Sequence, residues 1–487
     1  MELAPATESG TSSGAEGSGT ALAVRREPAQ STTRPSGRSG ALMALGASWV
    51  ATRTLLLLLV TGVLRMPGGD ITADVWLIYH GWYGVLQTGT FPLDDVTWQY
   101  PPGAALVILL PGLLPWSYLV SFWVICGIAD AAAMALLVRT GLRKGRALTG
   151  AWVWVAGVPL LGPMIYNRYD VIVTAIAVAG LLALIRRPAI GGLLLGLGGI
   201  VKIWPLLGLI GTPSGRRTRR SWTAAAAAAA AVGFLLAAGM NGAFEFLTFQ
   251  KDRGIEVESV GALPIHLARI TGAWDGKVMM NYGSVEMLGP WVDVVSKVML
   301  AGTVIGFGWL LLWRFTAKRR NAATMYDAAL AALLIFTVTS RVISPQYLVW
   351  LVGVAAVCLT VRGTSQRPVA LLILAATPLT LAEFPLLFGD VVASRPGAIA
   401  VLAARNLLLL AATGLSCVRL WRSTRRTERL PETVVLTRTE PVPAAAFSVR
   451  PGIAYEQDLL DGIERPRSAP GERRQGARPS ARPQGRP

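Results

Sequence analysis

The sequence predicts an all-α integral membrane protein: a polytopic bundle of about 10–12 transmembrane helices, with re-entrant or interfacial helices and external loops between them. Three observations carry that prediction. Hydrophobic residues make up 53% of the chain and charged residues only 15%. Apolar runs recur from residue 41 to residue 420, and each must be helical because lipid offers backbone groups no partners. The basic residues fall in short clusters between those runs and in both terminal segments, which is how cytoplasmic loops are marked.

Taken in order, residues 1–40 are rich in Gly, Ser, Thr and Ala, and read as a disordered cytoplasmic tail. Residues 41–421 form one transmembrane unit, and the Pro- and Arg-rich stretch 422–487 reads as a second disordered, basic cytoplasmic tail. The first span, 42–64, starts on the cytoplasmic side, so residues 65–101 emerge outside as the first external loop. There Gly68 and Gly69 break the span. Asp70 or Thr72 can cap a helix that runs to about Gln87. Val75, Ile78, Trp82 and Val85 form its apolar stripe beside Trp76, Tyr79 and Tyr83, and such a helix lies flat at a membrane surface.

The next run, 102–116, is broken by Pro111 and Pro115 and falls short of the roughly 20 residues a crossing needs, so it is expected to be re-entrant or interfacial. Runs 117–138, 147–165 and 171–185 cross. Arg139, Arg143, Lys144, Arg146, Arg186 and Arg187 then lie inside, and residues 166–170 form an external turn. Run 189–211 lies between two basic clusters that both belong inside, and repeated glycines, Lys202 and Pro205 interrupt it. Two short halves that dip in and return resolve the conflict, since irregular backbone at membrane depth is tolerated where it lines a cavity. Run 222–240 leads to the largest external loop, 241–291. Spans 292–313, 325–339, 347–361, 369–388 and 398–420 follow. The reading gives ten crossings, two irregular segments and both termini in the cytoplasm.

The formal net charge of +18 does not point to nucleic acid, because no basic stripe carries interleaved aromatics. Cys126, Cys358 and Cys417 all sit inside apolar runs, with neither disulfide nor metal spacing. Asp94 and Asp95 read as a solvated loop pair. Arg53, Asp130, Glu383 and Arg405, in or near spans, read as partners in internal ion pairs.

Several stretches carry a resemblance: D-V-W-L-I-Y (74–79), L-Q-T-G-T-F-P (86–92), Q-Y-P-P (99–102), R-Y-D (168–170), G-L-G-G-I-V-K-I-W-P (196–205) and S-R-V-I-S-P-Q-Y-L-V-W (340–350). In this order and spacing they resemble the signatures of glycosyltransferase family 87, over roughly residues 42–420. Those membrane enzymes have GT-C architecture and include actinobacterial mannosyltransferases that use polyprenyl-phosphate mannose. Six lysines among 46 basic residues fit the same kind of GC-rich source. The resemblance implies an inverting transfer of a sugar, mannose foremost, from a polyprenyl phosphate to a glycolipid or polysaccharide acceptor on the extracytoplasmic face of the cell membrane. Arabinose from decaprenyl phosphate is the alternative within the class. Neither a cofactor nor a divalent metal is expected.

Inverting transfer needs one carboxylate to take the acceptor's proton, and the resemblance gives that role to Asp74. Asp70, one helical turn earlier, is either a helix cap or the alternate base. The leaving phosphate needs fixed positive charge. Arg341 offers it where the family often has lysine, and its other reading is a snorkelling arginine at a helix end. Lys202 and Arg168 are the further phosphate candidates. A buried ammonium such as Lys202 is costly unless it is paired. Arg168 is equally able to pair with Asp170 within its own turn. Tyr79, His80, Gln99, Tyr100, Asp170, His266, Gln346 and Tyr347 are the candidate sugar and acceptor contacts. A lipid flippase or transporter, the rival from another class, predicts inverted repeats with charges at the midplane of both halves. A scaffold without activity is opposed by Asp74 and Arg341.

Overall fold

The computed structural model describes residues 36–250, 253–318 and 320–425. Most of both expected disordered tails lies outside the described residues. Helix nevertheless begins at Ser36 and the last helix continues to Arg425, so each tail is shorter than expected at its inner end.

Among the described residues, seven helices are long and apolar enough to cross a membrane: Ser39–Val60, Tyr118–Gly141, Arg216–Gly239, Val292–Thr316, Ala322–Thr339, Arg367–Leu386 and Pro396–Arg425. Five shorter apolar helices accompany them. Three of these, Thr149–Leu161, Asp170–Leu184 and Tyr347–Leu359, coincide with expected crossings, which brings the match to ten. At 13 residues, Tyr347–Leu359 measures only about 20 Å against a hydrocarbon core of about 30 Å. It can be that short because protein surrounds it: every residue from Leu348 to Leu359 is buried. Turn backbone flanks it at both ends, and buried surroundings are where such backbone is tolerated.

The remaining two short helices, Ala104–Leu113 and Pro188–Val201, are the segments expected not to cross. Pro188–Val201 stops at Lys202, whose backbone is extended, and the 3₁₀ turn Trp204–Leu209 folds back along it. The reversal shows in the neighbours: Gly199 meets Leu206, while Gly208 meets Leu195 and Leu181. The glycines of this helix serve close approach. A Cβ at Gly192 would sit 2.0 Å from the carbonyl oxygen of Ser221, and one at Gly196 2.3 Å from that of Ala225, so Arg216–Gly239 packs backbone to backbone against it.

The first-loop helix forms over Asp74–Leu86, with Asp74–Tyr79 wound as a π-helix and His80–Leu86 as α-helix. Its buried face is Val75, Tyr79, Trp82 and Leu86, while Trp76, Leu77 and Val85 point outward. The inward stripe is therefore rotated from the expected one, with Tyr79 inside and Val85 outside, because Tyr79 stacks on Trp82 and packs against Phe122 and Tyr169.

The 241–291 loop contains a small sheet as well as helix. Strands Ile255–Glu256, Lys277–Asn281 and Ser284–Leu288 form an antiparallel sheet with the third strand in the middle. The two-residue hairpin turn, Tyr282 (φ 48°) and Gly283 (φ 78°), has positive φ at both positions, as tight hairpins of this hand require.

The basic clusters gather at the end of the bundle away from this sheet. Arg314 donates to the Thr212 carbonyl at 2.9 Å and Arg320 to the same oxygen at 3.0 Å. Arg362 donates to the Arg146 carbonyl at 3.1 Å. The internal pairs expected from sequence also form: Arg53 with Asp130 at 2.7 Å and Arg405 with Glu383 at 2.7 Å.

Candidate functional site

At the sheet end, segments distant in sequence enclose a cavity of about 930 Å³. The Asp74–Leu86 helix and residues 97–102 form one wall, and Arg168, Lys202 and Trp204 come from the turn and the reversal. The 241–291 loop adds Arg253, Glu256 and Glu258, and the 340–347 segment adds Arg341, Ser344, Gln346 and Tyr347. Apolar groups, among them Ile200, Leu206, Ala229, Phe244 and Phe336, line another part of the wall.

Asp74 pairs with Arg168 at 2.5 Å, and its side chain keeps 35% of its surface exposed. Arg168 is itself held by a hydrogen bond to the Asn167 carbonyl at 3.0 Å. Its partner is therefore Asp74, 94 positions away, and not Asp170 in its own turn. Asp170 instead binds Lys202 at 2.7 Å and accepts from Trp350 Nε1 at 2.7 Å. The Lys202 ammonium also lies over four rings, 4.9 Å from Tyr169, 5.1 Å from Trp350, 5.4 Å from Tyr100 and 5.6 Å from Tyr347. Pairing and ring faces offset the cost of burying that charge. They also fix the chain where it reverses.

Asp70 spends its carboxylate locally. Oδ1 accepts from the Thr72 amide at 2.8 Å and its hydroxyl at 2.6 Å, and Oδ2 accepts from Trp76 Nε1 at 3.0 Å. The Thr72 hydroxyl hydrogen bond first of all holds its pKa below the usual value. The Asp94–Asp95 pair divides: Asp94 is exposed, while Asp95 ties Trp82 (2.7 Å) and Thr97 (2.9 Å to its amide) into the loop.

Arg341 donates to the Arg253 carbonyl at 3.0 Å. Burial, and then the nearby Arg253 guanidinium, lower the Arg341 pKa, and an anion bound beside Arg341 would offset that effect. The 340–346 loop is fastened by Glu256. Its backbone N–H donates to the Arg341 carbonyl at 3.1 Å, and its carboxylate accepts from the Ile343 amide at 2.5 Å and the Ser344 hydroxyl at 3.1 Å. Burial pushes the Glu256 carboxyl up to about 7. Arg253 is held in turn by Glu286 at 2.9 Å and Ser284 at 2.7 Å.

The structure thus brings Tyr79, Gln99, Tyr100, Gln346 and Tyr347 to the cavity with Asp74, Arg168, Lys202 and Arg341, while Asp170 lies buried behind Lys202 and does not line it. Neither histidine lines it. His80 is exposed on the outer face of its helix, 5.0 Å ring to ring from Tyr118. His266 is a core residue: Nδ1 meets the Ser394 hydroxyl at 2.7 Å and Nε2 the Val257 carbonyl at 2.8 Å, and burial lowers its pKa to about 4. It is spent because its helix, Ala262–Ile270, turns Ala262, Ile265 and His266 inward together. Sequence reasoning missed Arg253, Glu256 and Glu258. A signal was present in the alternation Ile255-Glu256-Val257-Glu258, which reads as a strand with both glutamates on one face.

Comparison with known proteins adds the following. The family model described as glycosyltransferase family 87 matches residues 98–345, just over half of the chain. No curated protein sequence matches. Among solved structures, the fold is similar to the crystal structure of ArnT from Cupriavidus metallidurans bound to undecaprenyl phosphate. That match has 12% identity and a TM-score of 0.41, and covers 79% of this chain and 78% of that one.

Proposed function

The chain belongs to glycosyltransferase family 87, and on that premise we propose that it transfers a sugar, mannose foremost, from a polyprenyl phosphate to a glycolipid or polysaccharide acceptor. The observation that carries this reading is the cavity itself. It combines one partly exposed carboxylate, Asp74, with guanidinium groups from three separate segments and an adjoining apolar wall. In the proposed reaction the acceptor hydroxyl attacks the anomeric carbon from the face opposite the phosphate. Its proton passes to Asp74, and the C–O bond to the phosphate breaks with inversion. Arg168 holds the base in position through their ion pair. Arg341 and Arg253 receive the developing phosphate charge, with bidentate geometry suited to a phosphodiester. Lys202, already neutralised by Asp170, shapes the floor. Gln99, Tyr100, Gln346 and Tyr347 frame the sugar, and Ile200, Leu206, Phe244 and Phe336 offer lipid a dry surface.

The reading also places the site outside and the basic clusters and both termini in the cytoplasm, on the distribution of arginines. A cysteine at Gly272 should react with a membrane-impermeant thiol reagent in intact cells and one at Ser214 should not; the reverse pattern would invert this orientation. The reaction is tested by incubating the purified protein with polyprenyl-phosphate mannose or decaprenyl-phosphate arabinose and a glycolipid acceptor. Release of the lipid phosphate with a glycosylated product supports the proposal. A folded protein that consumes neither donor, but moves lipid across a vesicle membrane, would replace it with the transporter reading.

A further inference from the structure

Glu258 stands on the cavity wall with its side chain almost wholly buried, and no step of the proposed transfer uses it. Its Oε1 takes no hydrogen bond from any N–H or O–H among the described residues. A buried oxygen left in that state costs about 1–3 kcal/mol, so a ligand hydroxyl bonded there would recover energy. The backbone behind it is fixed: the Glu258 carbonyl accepts from Arg405 Nη2 at 3.0 Å and from Asn406 Nδ2 at 3.3 Å. Arg405 is committed to Glu383 at 2.7 Å, so its charge is already balanced. Burial first, and then the adjacent Glu383 and Glu256 carboxylates, hold Glu258 well above the usual carboxylate range. A side-chain hydrogen bond to the Glu383 carboxyl raises it further, so Oε1 is the atom left to meet a ligand hydroxyl.

Its surroundings suit a sugar ring. Phe384, Pro385 and Phe388 line the cavity with it, and apolar faces next to a fixed polar group are how a pyranose or furanose is held. The Phe384–Pro385 segment abuts Gly68, where an added Cβ would stand 2.9 Å from the Pro385 carbonyl oxygen. The wall backed by Glu383 thus adjoins the start of the Asp70–Asp74 segment. Asp74 and Glu258 line this same cavity. Glu256, two residues earlier, is occupied instead with the Ile343 amide and Ser344 hydroxyl of the Arg341 loop. One short segment therefore holds the Arg341 loop through Glu256 and leaves Oε1 of Glu258 without a donor.

Resting on the transferase reading above, we propose that the Glu258 carboxyl hydrogen-bonds a ring hydroxyl of the donor's sugar and is the residue by which this cavity selects among sugars. Sites built to bond a hydroxyl discriminate strongly against ligands that lack or misplace it, because the polar group is then left unpaired. The test uses full-length protein in nanodiscs and measures binding of sugar-free polyprenyl phosphate and of polyprenyl-phosphate mannose, glucose, galactose and arabinose. Wild type should bind one sugar-bearing lipid well above the others. Glu258→Leu should lose that preference about tenfold or more while binding sugar-free polyprenyl phosphate within about twofold of wild type. Glu258→Gln, which can still donate and accept, should keep part of it. Glu256→Gln should weaken all five lipids together and leave the ranking intact. An unchanged ranking in Glu258→Leu overturns the inference, as does a uniform loss across all five lipids or a wild type that ranks no sugar above another. Failure of wild type to bind polyprenyl phosphate at all would overturn the transferase reading itself.

Discussion

Two aspartate–arginine pairs in this molecule have nearly the same chemistry and opposite surroundings. Asp130 receives Arg53 through two nitrogens, at 2.7 and 3.0 Å, together with Trp154 Nε1 at 2.6 Å and the Tyr166 hydroxyl at 2.8 Å. Arg53 spends its remaining nitrogen on the Val155 carbonyl at 3.1 Å, and the Asp130 side chain is wholly buried. Asp74 meets Arg168 in a single 2.5 Å contact and keeps a third of its side chain open on the cavity. The first pair is saturated and holds the Ser36–Val60 helix against the Tyr118–Gly141 helix. The second has acceptor capacity left, which a base needs. Satisfaction of the carboxylate, more than its identity or its partner, separates structural from chemical roles here.

That contrast can be broken most forcefully at Asp130. Asp130→Asn leaves the Arg53 guanidinium buried without its counter-charge, and losing one partner of a buried pair costs about 3–5 kcal/mol. The purified variant should show a strongly lowered Tm in detergent or fail to accumulate. An unchanged Tm would mean that the saturated pair holds nothing together. A smaller effect is expected at the phosphate side. Charge-assisted hydrogen bonds contribute about 1.5–3 kcal/mol, so Arg341→Gln should raise the donor KM about 10- to 100-fold with little change in Tm. Arg341→Lys should recover part of that, since the charge survives and the fork does not. Unaltered donor kinetics in Arg341→Gln would leave this arginine a snorkelling side chain.

The smallest effect concerns His266. Its folded pKa, lowered to about 4 by burial, lies below the ordinary value of 6.5, so the unfolded chain binds the proton more readily. Stability is therefore full above about pH 6.5 and is lost as pH falls toward 4. Wild-type Tm should drop more between pH 7.5 and pH 5 than that of His266→Gln. Equal drops would place the acid sensitivity elsewhere.

Much of the fold was legible because lipid constrains sequence severely. Apolar length and arginine position sufficed to locate ten helices at the expected spans, the two short helices between them and the break at Lys202, where glycines and Pro205 interrupt an apolar run. What they leave open is pairing across the bundle. Arg168 and Asp170 sit in one turn, yet they face different partners, Asp74 and Lys202, because tertiary packing sets side-chain direction there. His266 shows the converse error: an apparent loop histidine belongs to a short helix whose inward face buries it. Glu256 and Glu258 went unread because a polar 50-residue loop was treated as loop throughout. Their alternation with Ile255 and Val257 is a strand-like signal; the strand itself covers only Ile255–Glu256, and Glu258 reaches the cavity from the turn that follows. The candidate site was thus half visible: Asp74, Arg168 and Arg341 from motif, Arg253 and both glutamates only from the fold.

The account depends most on Asp74, and the measurement that reaches it directly is single-turnover transfer by Asp74→Asn, with Asp70→Asn beside it. Both variants should be purified and folded, and both should be loaded with polyprenyl-phosphate sugar before the acceptor is added. General-base catalysis is typically worth about 10²–10⁴-fold, so Asp74→Asn should lose at least that much rate while still binding the donor. Asp70→Asn should cost little, since asparagine accepts the Thr72 hydrogen bonds about as well as aspartate. Full activity in Asp74→Asn, with activity lost in Asp70→Asn, would contradict the account and move the base one helical turn back.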